Sequence, residues 1–368
     1  MPCGANAIRL RRLYRCLLEN TMTKRFKTAL AGCTMLATAL SAMPAFAEGE
    51  VNIYSYRQPE LIQPLLDAFK ADTGISANVV FLDKGLVERI SAEGENSPAD
   101  VILTVDIGRL QGAEDAGVTA PLESEAITGN IPAQYRDPDN NWFGVTTRAR
   151  VVYASSERVA QDAITYEELA DPKWKGKICT RDGQHVYNIA LFASMIAHHG
   201  AEEAEAWLAG LKENLARKPT GNDRAQAKAI YSGECDLALG NSYYVGLMQT
   251  NEKEPEQKEW ARAIKVLFPN AGDRGTHVNI SGMALAKHAP NKDNAVKLME
   301  FLASTKAQEI YAEQVFEYPV APGSTASGIV KGFGDIKPDE LPLSKIAEQR
   351  KLASELVDRV GYNDGPTN

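Results

Sequence analysis

The adjacent tyrosines Tyr243 and Tyr244 are the residues whose type and spacing most invite chemistry. A deprotonated phenol is a hard anionic oxygen donor, suited to a hard cation, and its ordinary pKa of about 10 means that the metal must displace the proton. On a regular strand two neighbouring side chains point to opposite faces, so a pair that shares one ligand must sit in an irregular segment. The preceding Gly240-Asn241-Ser242 offers turn chemistry of that kind. The same pair also reads as two ordinary aromatics at the start of a helix, or as part of an aromatic box around a polyamine or other organic cation. Near the beginning, strand alternation sets Tyr54 and Tyr56 on one face and Ser55 and Arg57 on the other. Tyr56 lies nearer the C-terminal end of its strand, where open α/β sheets hold ligands. An exported enzyme would use Asp106 or His277 as acid–base groups, but the chain has no nucleophile elbow, no His-Glu-x-x-His and no phosphate loop.

The elements that must carry these residues are legible as an α/β alternation. Val51–Tyr56, Ala77–Leu82 and Ala99–Thr104 read as strands, separated by an amphipathic helix from Pro59 to Thr73 that Gly74 stops and a second helix over 84–94. This order predicts a parallel sheet with helices on its faces. After the turn-rich segment 137–141, a strand-like run Val145–Ala154 leads to a second alternation. It comprises a strand at Lys177–Thr180, helices near 187–199, 202–213 and 221–232, and a strand at Cys235–Leu239. Gly275–Lys287 is again strand-like, and 290–315 reads as one long helix. Two α/β units with a break near 147 fit either sequential domains or a chain that crosses to a second lobe near 147 and returns near 278.

With 368 residues, 44% hydrophobic and 24% charged, the chain can fill two cores of roughly 150 residues each. Its 40 Lys plus Arg against 48 Asp plus Glu give a net charge of −8, which excludes the basic face of a non-specific nucleic-acid binder. Residues 22–47 have the form of a secretory signal peptide: Lys24, Arg25 and Lys27, an apolar run through Leu40, then Ala45-Phe46-Ala47. Residues 1–21 read as an upstream extension, and the mature chain as starting at Glu48. Leu30-Ala31-Gly32-Cys33 resembles a lipoprotein box, but the five residues between Lys27 and Cys33 are too few for the apolar stretch that precedes cleavage, so no lipid anchor is expected. Processing removes seven basic residues and one acidic one, taking 40 to 33 and 48 to 47, a net −14. Of five cysteines only Cys179 and Cys235 remain, and an even pair in an oxidising compartment is most simply a disulfide.

Four stretches carry a resemblance. The signal peptide, the opening Tyr54-Ser55-Tyr56-Arg57, the run Tyr166-Glu167-Glu168-Leu169 followed by Asp171-Pro172-Lys173-Trp174-Lys175-Gly176-Lys177, and Gly240-Asn241-Ser242-Tyr243-Tyr244 together resemble the periplasmic ferric-iron-binding proteins of ABC importers. The resemblance implies an α/β, two-lobed type II periplasmic binding protein fold with two hinge-crossing strands, near 145–152 and 276–284. The N-terminal lobe would be 48–147 plus 279–325, the C-terminal lobe 148–278 plus 326–368. It further implies a monomeric, non-enzymatic periplasmic receptor that takes iron or an iron chelate and delivers Fe(III) to an inner-membrane ABC permease.

The ligand set follows from the same resemblance, with departures. Tyr243 and Tyr244 match the family's adjacent pair, and Tyr187 matches a third tyrosine at the start of a helix. The loop before it, Arg181-Asp182-Gly183-Gln184-His185, differs from the family's Arg-Ser and small polar residues, so His185 is either a loop histidine or a substitute ligand. Many members read Tyr-Ser-x-Arg-His-Tyr where this chain has Gln58-Pro59, so both usual N-terminal ligands are missing. Tyr56 is then expected as the fourth phenolate and Tyr54 as core. Carbonate or another small anion would complete the iron's coordination, held by the forked guanidinium of Arg57 and by Arg148 or Arg150.

Overall fold

A computed structural model describes residues 49–367. The upstream extension, the signal peptide, Cys33 and the start at Glu48 lie outside the described residues. The first series is β1 (Glu50–Ser55), α1 (Pro59–Thr73), β2 (Ser76–Phe81), α2 (Leu86–Glu93), β3 (Val101–Thr104) and α3 (Ile107–Asp115). β1 pairs in parallel with both β2 and β3, as helical crossovers require. α1 stops where glycine predicts: Gly74 takes a φ of 74° and its N–H closes on the Lys70 carbonyl at 2.8 Å. Its apolar face, Ile62, Leu65, Leu66 and Phe69, is buried.

β4 (Thr119–Ala120) and α4 (Glu125–Asn130) lead to β5 (Phe143–Ser155), whose thirteen residues are all buried. The second series is β6 (Ile178–Cys179), α5 (Val186–His199), α6 (Ala201–Glu213), α7 (Asp223–Tyr231), β7 (Leu237–Asn241), α8 (Tyr243–Gln249), α9 (Glu256–Arg262) and β8 (Ile264–Leu267). The chain returns through β9 (Val278–Ala286), α10 (Lys292–Ala303), α11 (Thr305–Val315) and β10 (Tyr318–Pro319), and ends with α12 (Gly328–Gly332), α13 (Leu343–Glu348) and α14 (Arg350–Arg359).

β5 is the strand that both series share. Its first part pairs with β9, from Phe143 opposite Met283 to Ala149 opposite Val278. From Arg150 onward it pairs instead with β7 and β8. The sheet order β2-β1-β3-β9-β5-β7-β6 therefore changes partners along one strand, and the 268–277 segment carries the chain back from β8 to β9. β5 leaves β9 after Ala149 and the chain rejoins the first series at Val278, an arrangement that two independent sequential units would not have. Among the described residues no helix is long and apolar enough to cross a membrane.

Two expectations are corrected. The 290–315 pattern is two helices, because Ser304 is extended (φ −67°, ψ 151°) and its hydroxyl caps α11 by accepting from the Ala307 N–H. Gly240 and Asn241 belong to β7 and form no turn. Gly240 is needed there for close approach, since a Cβ would lie 2.2 Å from the Tyr153 ring, whose hydroxyl donates to the Asn241 carbonyl at 2.6 Å.

Candidate metal centre

A cavity of about 420 Å³ opens where the two series face each other, and Tyr56, Tyr187, Tyr243 and Tyr244 all line it. Each is delivered by the end of an element. Tyr56 follows β1, its N–H bonded to the Leu103 carbonyl at 2.9 Å. Tyr187 stands in the first turn of α5, behind His185, whose Nδ1 accepts the Tyr187 N–H at 3.2 Å and so caps the helix. Tyr243 and Tyr244 open α8 directly after Ser242. The pair thus shares the cavity through a regular helix start, where successive residues turn by about 100°, and not through an irregular segment. Their rings stack with centroids 4.2 Å apart, and the Tyr187 and Tyr243 hydroxyls approach to 3.3 Å.

Burial pushes the Tyr243 phenol well above its ordinary pKa, and the neighbouring Tyr187 and Tyr244 oxygens push it the same way. Burial and Tyr187 also raise Tyr244. These hydroxyls are therefore neutral without a cation, and a bound metal ion must supply the free energy of deprotonation. Among the described residues no group of three His, Cys, Asp or Glu is placed to hold a metal. Tyr54 is core: it is buried, and its hydroxyl donates to Glu93 at 2.8 Å. Tyr56 is less free than the other three, because its hydroxyl accepts the Leu86 N–H at 3.1 Å.

Arginines surround the tyrosines. Arg109 lies 4.0 Å above the Tyr56 ring, Arg224 4.9 Å from Tyr244, Arg181 5.3 Å from Tyr187 and Arg57 5.7 Å from Tyr243. Arg57 is buried and paired through Nη2 with Glu317 at 2.5 Å, while its Nε has no partner among the described residues. Arg148, also buried, sits 5.8 Å from the Tyr187 ring; Nη1 donates to Ser281, and Nε and Nη2 are unpartnered among the described residues. Arg150 is committed to the scaffold, donating to Asp223, Asn241 and Asn188.

Asp223, which the sequence does not single out, organises the second wall. Its carboxylate takes Arg150 at 2.8 Å, Arg181 at 3.1 Å and the Asn241 N–H at 2.9 Å, joining β5, the loop before α5 and β7. Burial alone would raise its pKa, but the two guanidiniums overcome this and hold it below the usual carboxylate range. Only its place in the first turn after the helix-capping Asn222 marks it in the sequence. Cys179 and Cys235 are disulfide-bonded, with Cα atoms 5.9 Å apart, and tie the strands that lead to Tyr187 and to Tyr243-Tyr244. His185 is held neutral, its pKa lowered to about 3 by burial and by Arg181. Asp106 caps α3 through the Gly108 N–H, and His277 is buried with its pKa lowered to about 4 by burial.

The family model described as bacterial extracellular solute-binding protein matches residues 96–332. Iron uptake protein A1 of Synechocystis sp. is 43% identical over 336 residues, spanning 90% of this chain and 93% of its own. Apo ferric ion-binding protein A of Pasteurella haemolytica superposes with a TM-score of 0.82 at 52% identity, covering 86% of this chain and 99% of its own. A Trichodesmium protein solved in complex with iron and citrate superposes with a TM-score of 0.81 at 44% identity, over 85% of this chain and all of its own. A shared strand between two α/β halves, with a tyrosine-lined cavity between them, is thus the two-lobed type II periplasmic binding fold. The chain belongs to the bacterial extracellular solute-binding protein family.

Proposed function

We propose that this protein is a monomeric periplasmic receptor that captures Fe(III) through Tyr187, Tyr243, Tyr244 and Tyr56 and delivers it to an inner-membrane ABC permease. The observation that carries the reading is the convergence of three tyrosines from α5 and α8 on one wall, with two hydroxyls 3.3 Å apart. Phenolates favour Fe(III) over Fe(II), because each added negative charge stabilises the higher oxidation state. A small anion such as carbonate or citrate fills the remaining positions. Arg57, which lines the cavity beside Tyr243 and has an Nε with no partner among the described residues, is supported as its donor; Arg148, set behind Tyr187, does not line the cavity. The hinge lies where β5 exchanges partners, between Ala149 and Arg150, with the N-terminal lobe as 48–147 plus 279–325 and the C-terminal lobe as 148–278 plus 326–368.

Capture releases protons from the phenols, so acid weakens binding as each oxygen regains its proton. Reduction removes one positive charge from a site of anionic oxygens and loosens it further. A receptor for polyamines fits poorly, since four arginines and only two carboxylates, Glu60 and Asp83, line the cavity. Titrating the apo-protein with ferric citrate should raise a broad visible phenolate-to-iron band that Tyr243→Phe and Tyr244→Phe remove. Wild-type binding by both variants would overturn the assignment.

A further inference from the structure

The loop 182–184 that leads into Tyr187 is tied on its outer side by the C-terminal end of the described chain. The Gly183 N–H donates to Asn363 Oδ1 at 2.8 Å, and Asn363 Nδ2 donates to Asp182 Oδ1 at 2.7 Å. Gln184 Nε2 donates to the Ser354 carbonyl at 3.0 Å and to Asp358 Oδ1 at 2.8 Å, while its Oε1 accepts from Ser354 Oγ at 2.7 Å. No side chain fits at Gly183, where a Cβ would lie 2.6 Å from the Tyr362 ring and 2.9 Å from Val357.

The other end of the same helix, α14, reaches across to the first series. Arg350 Nη1 lies 3.1 Å from Asp106 Oδ1. Asp106 is fully buried; it accepts the Gly108 N–H at 2.9 Å, capping α3, and accepts from Asn279 Nδ2 of β9 at 2.7 Å. The guanidinium crosses the first turn of α3 so closely that a Cβ at Gly108 would lie 1.9 Å from Nε. One carboxylate therefore joins a helix of the first lobe, the returning strand and the C-terminal helix.

We propose that α14 and the turn after it form a strap that couples the hinge to the position of Tyr187, with Arg350 and Asn363 as positioning residues at its two ends. From Arg350 to Asp358 the strap is about 12 Å of helix, stiff enough to carry a displacement from one end to the other. A rotation that moves α3 relative to α5 must break the Arg350–Asp106 pair or pull on loop 182–184. Tyr187 follows that loop within one helical turn. The iron readout below rests on the proposed function; the exchange readout does not.

A double-mutant cycle on Arg350→Met and Asn363→Ala tests the coupling. Iron release to excess EDTA, followed by loss of the visible band, should quicken roughly tenfold in each single variant, and in the double variant by clearly less than the product. Arg350→Lys should restore most of the wild-type rate. Gly108→Ala, which displaces the guanidinium while leaving Arg350 in place, should reproduce Arg350→Met. In the iron-free protein, amide hydrogen exchange over 182–188 should quicken in Arg350→Met, although Arg350 hydrogen-bonds none of those residues. Because exchange needs no iron, a wild-type protein that fails to colour with ferric iron overturns the iron reading and leaves the strap to be decided by exchange alone. Single effects that multiply in the double variant, or unchanged exchange over 182–188 in Arg350→Met, overturn the strap. A lower melting temperature with wild-type exchange there does the same, since it reduces Arg350 to general support.

Discussion

Tyr56 and Tyr243 face one cavity from opposite walls, and they are held in different ways. Behind Tyr243 stand a stacked neighbour, a hydroxyl contact to Tyr187, the Asp223 network and a disulfide. Tyr56 stands alone on its wall, its hydroxyl taken by the Leu86 N–H and its ring covered by Arg109. The second wall is a pre-assembled set of oxygen donors, and the first presents cations and one phenol already in use. On the proposed reading, affinity is concentrated in the wall built from α5 and α8, and the wall that carries Tyr56 contributes closure and charge.

The sharpest way to break this comparison is to delete a donor from the rich wall. Tyr243→Phe should abolish the visible band and weaken ferric binding at least roughly a thousandfold, about 4 kcal/mol, with circular dichroism unchanged. Asp223→Asn strikes the scaffold under the same wall by leaving Arg150 and Arg181 without a carboxylate. Urea unfolding should show a loss of roughly 3 kcal/mol, the low end for a broken buried pair because the amide keeps an acceptor.

A smaller effect belongs to the segment that leads into β9. Burial holds His277 at about 4, below its ordinary 6.5, so the folded protein binds fewer protons than the unfolded chain between those values. The resulting stability is whole above pH 6.5 and is lost as pH falls toward 4. Between pH 6.5 and 5 the loss is about 2 kcal/mol, and His277→Gln should flatten that part of the urea-measured profile. Smallest is Tyr56→Phe, which should keep the band and cost no more than roughly tenfold in affinity, with about 1 kcal/mol of stability from the lost acceptor. Loss of colour in Tyr56→Phe would make the two walls equal. Tyr54→Phe is the control and should leave iron binding unchanged.

Much of this was legible in residue order. Gly74 stops α1 as its type demands, Cys179 and Cys235 pair, and Tyr54, set deeper in β1 than Tyr56 on the same face, is buried. The strands before Tyr243 were harder, because Gly240-Asn241 carries turn-forming residues yet lies in β7. There the glycine answers to Tyr153, which is 87 positions away and invisible to any local pattern. The Asp223 network and the arginine facing each tyrosine share that difficulty. They are assembled from β5, α7 and the loop before α5, and no short motif records a contact made only by folding. Ser304 shows the opposite case, since one capping hydroxyl divided a continuous apolar period and could have been weighed as a helix start.

The Cys179–Cys235 bridge also bears on the order in which the molecule can be assembled. Its sequence separation of 56 residues encloses α5, α6 and α7, and so carries Tyr187 and Asp223 inside one covalent ring. Closing a ring of that size removes about 4 kcal/mol of chain entropy from the unfolded state. The ring closes between Cys179 of β6 and Cys235, two residues ahead of β7, and β6 and β7 pair in parallel, so strand pairing and oxidation each make the other easier. A chain kept reduced must find the same pairing without that help, while α8 and its two tyrosines wait on the strand that precedes them. Oxidation of two thiols thus shapes the wall that carries Tyr187, Tyr243 and Tyr244, and it needs no metal to do so.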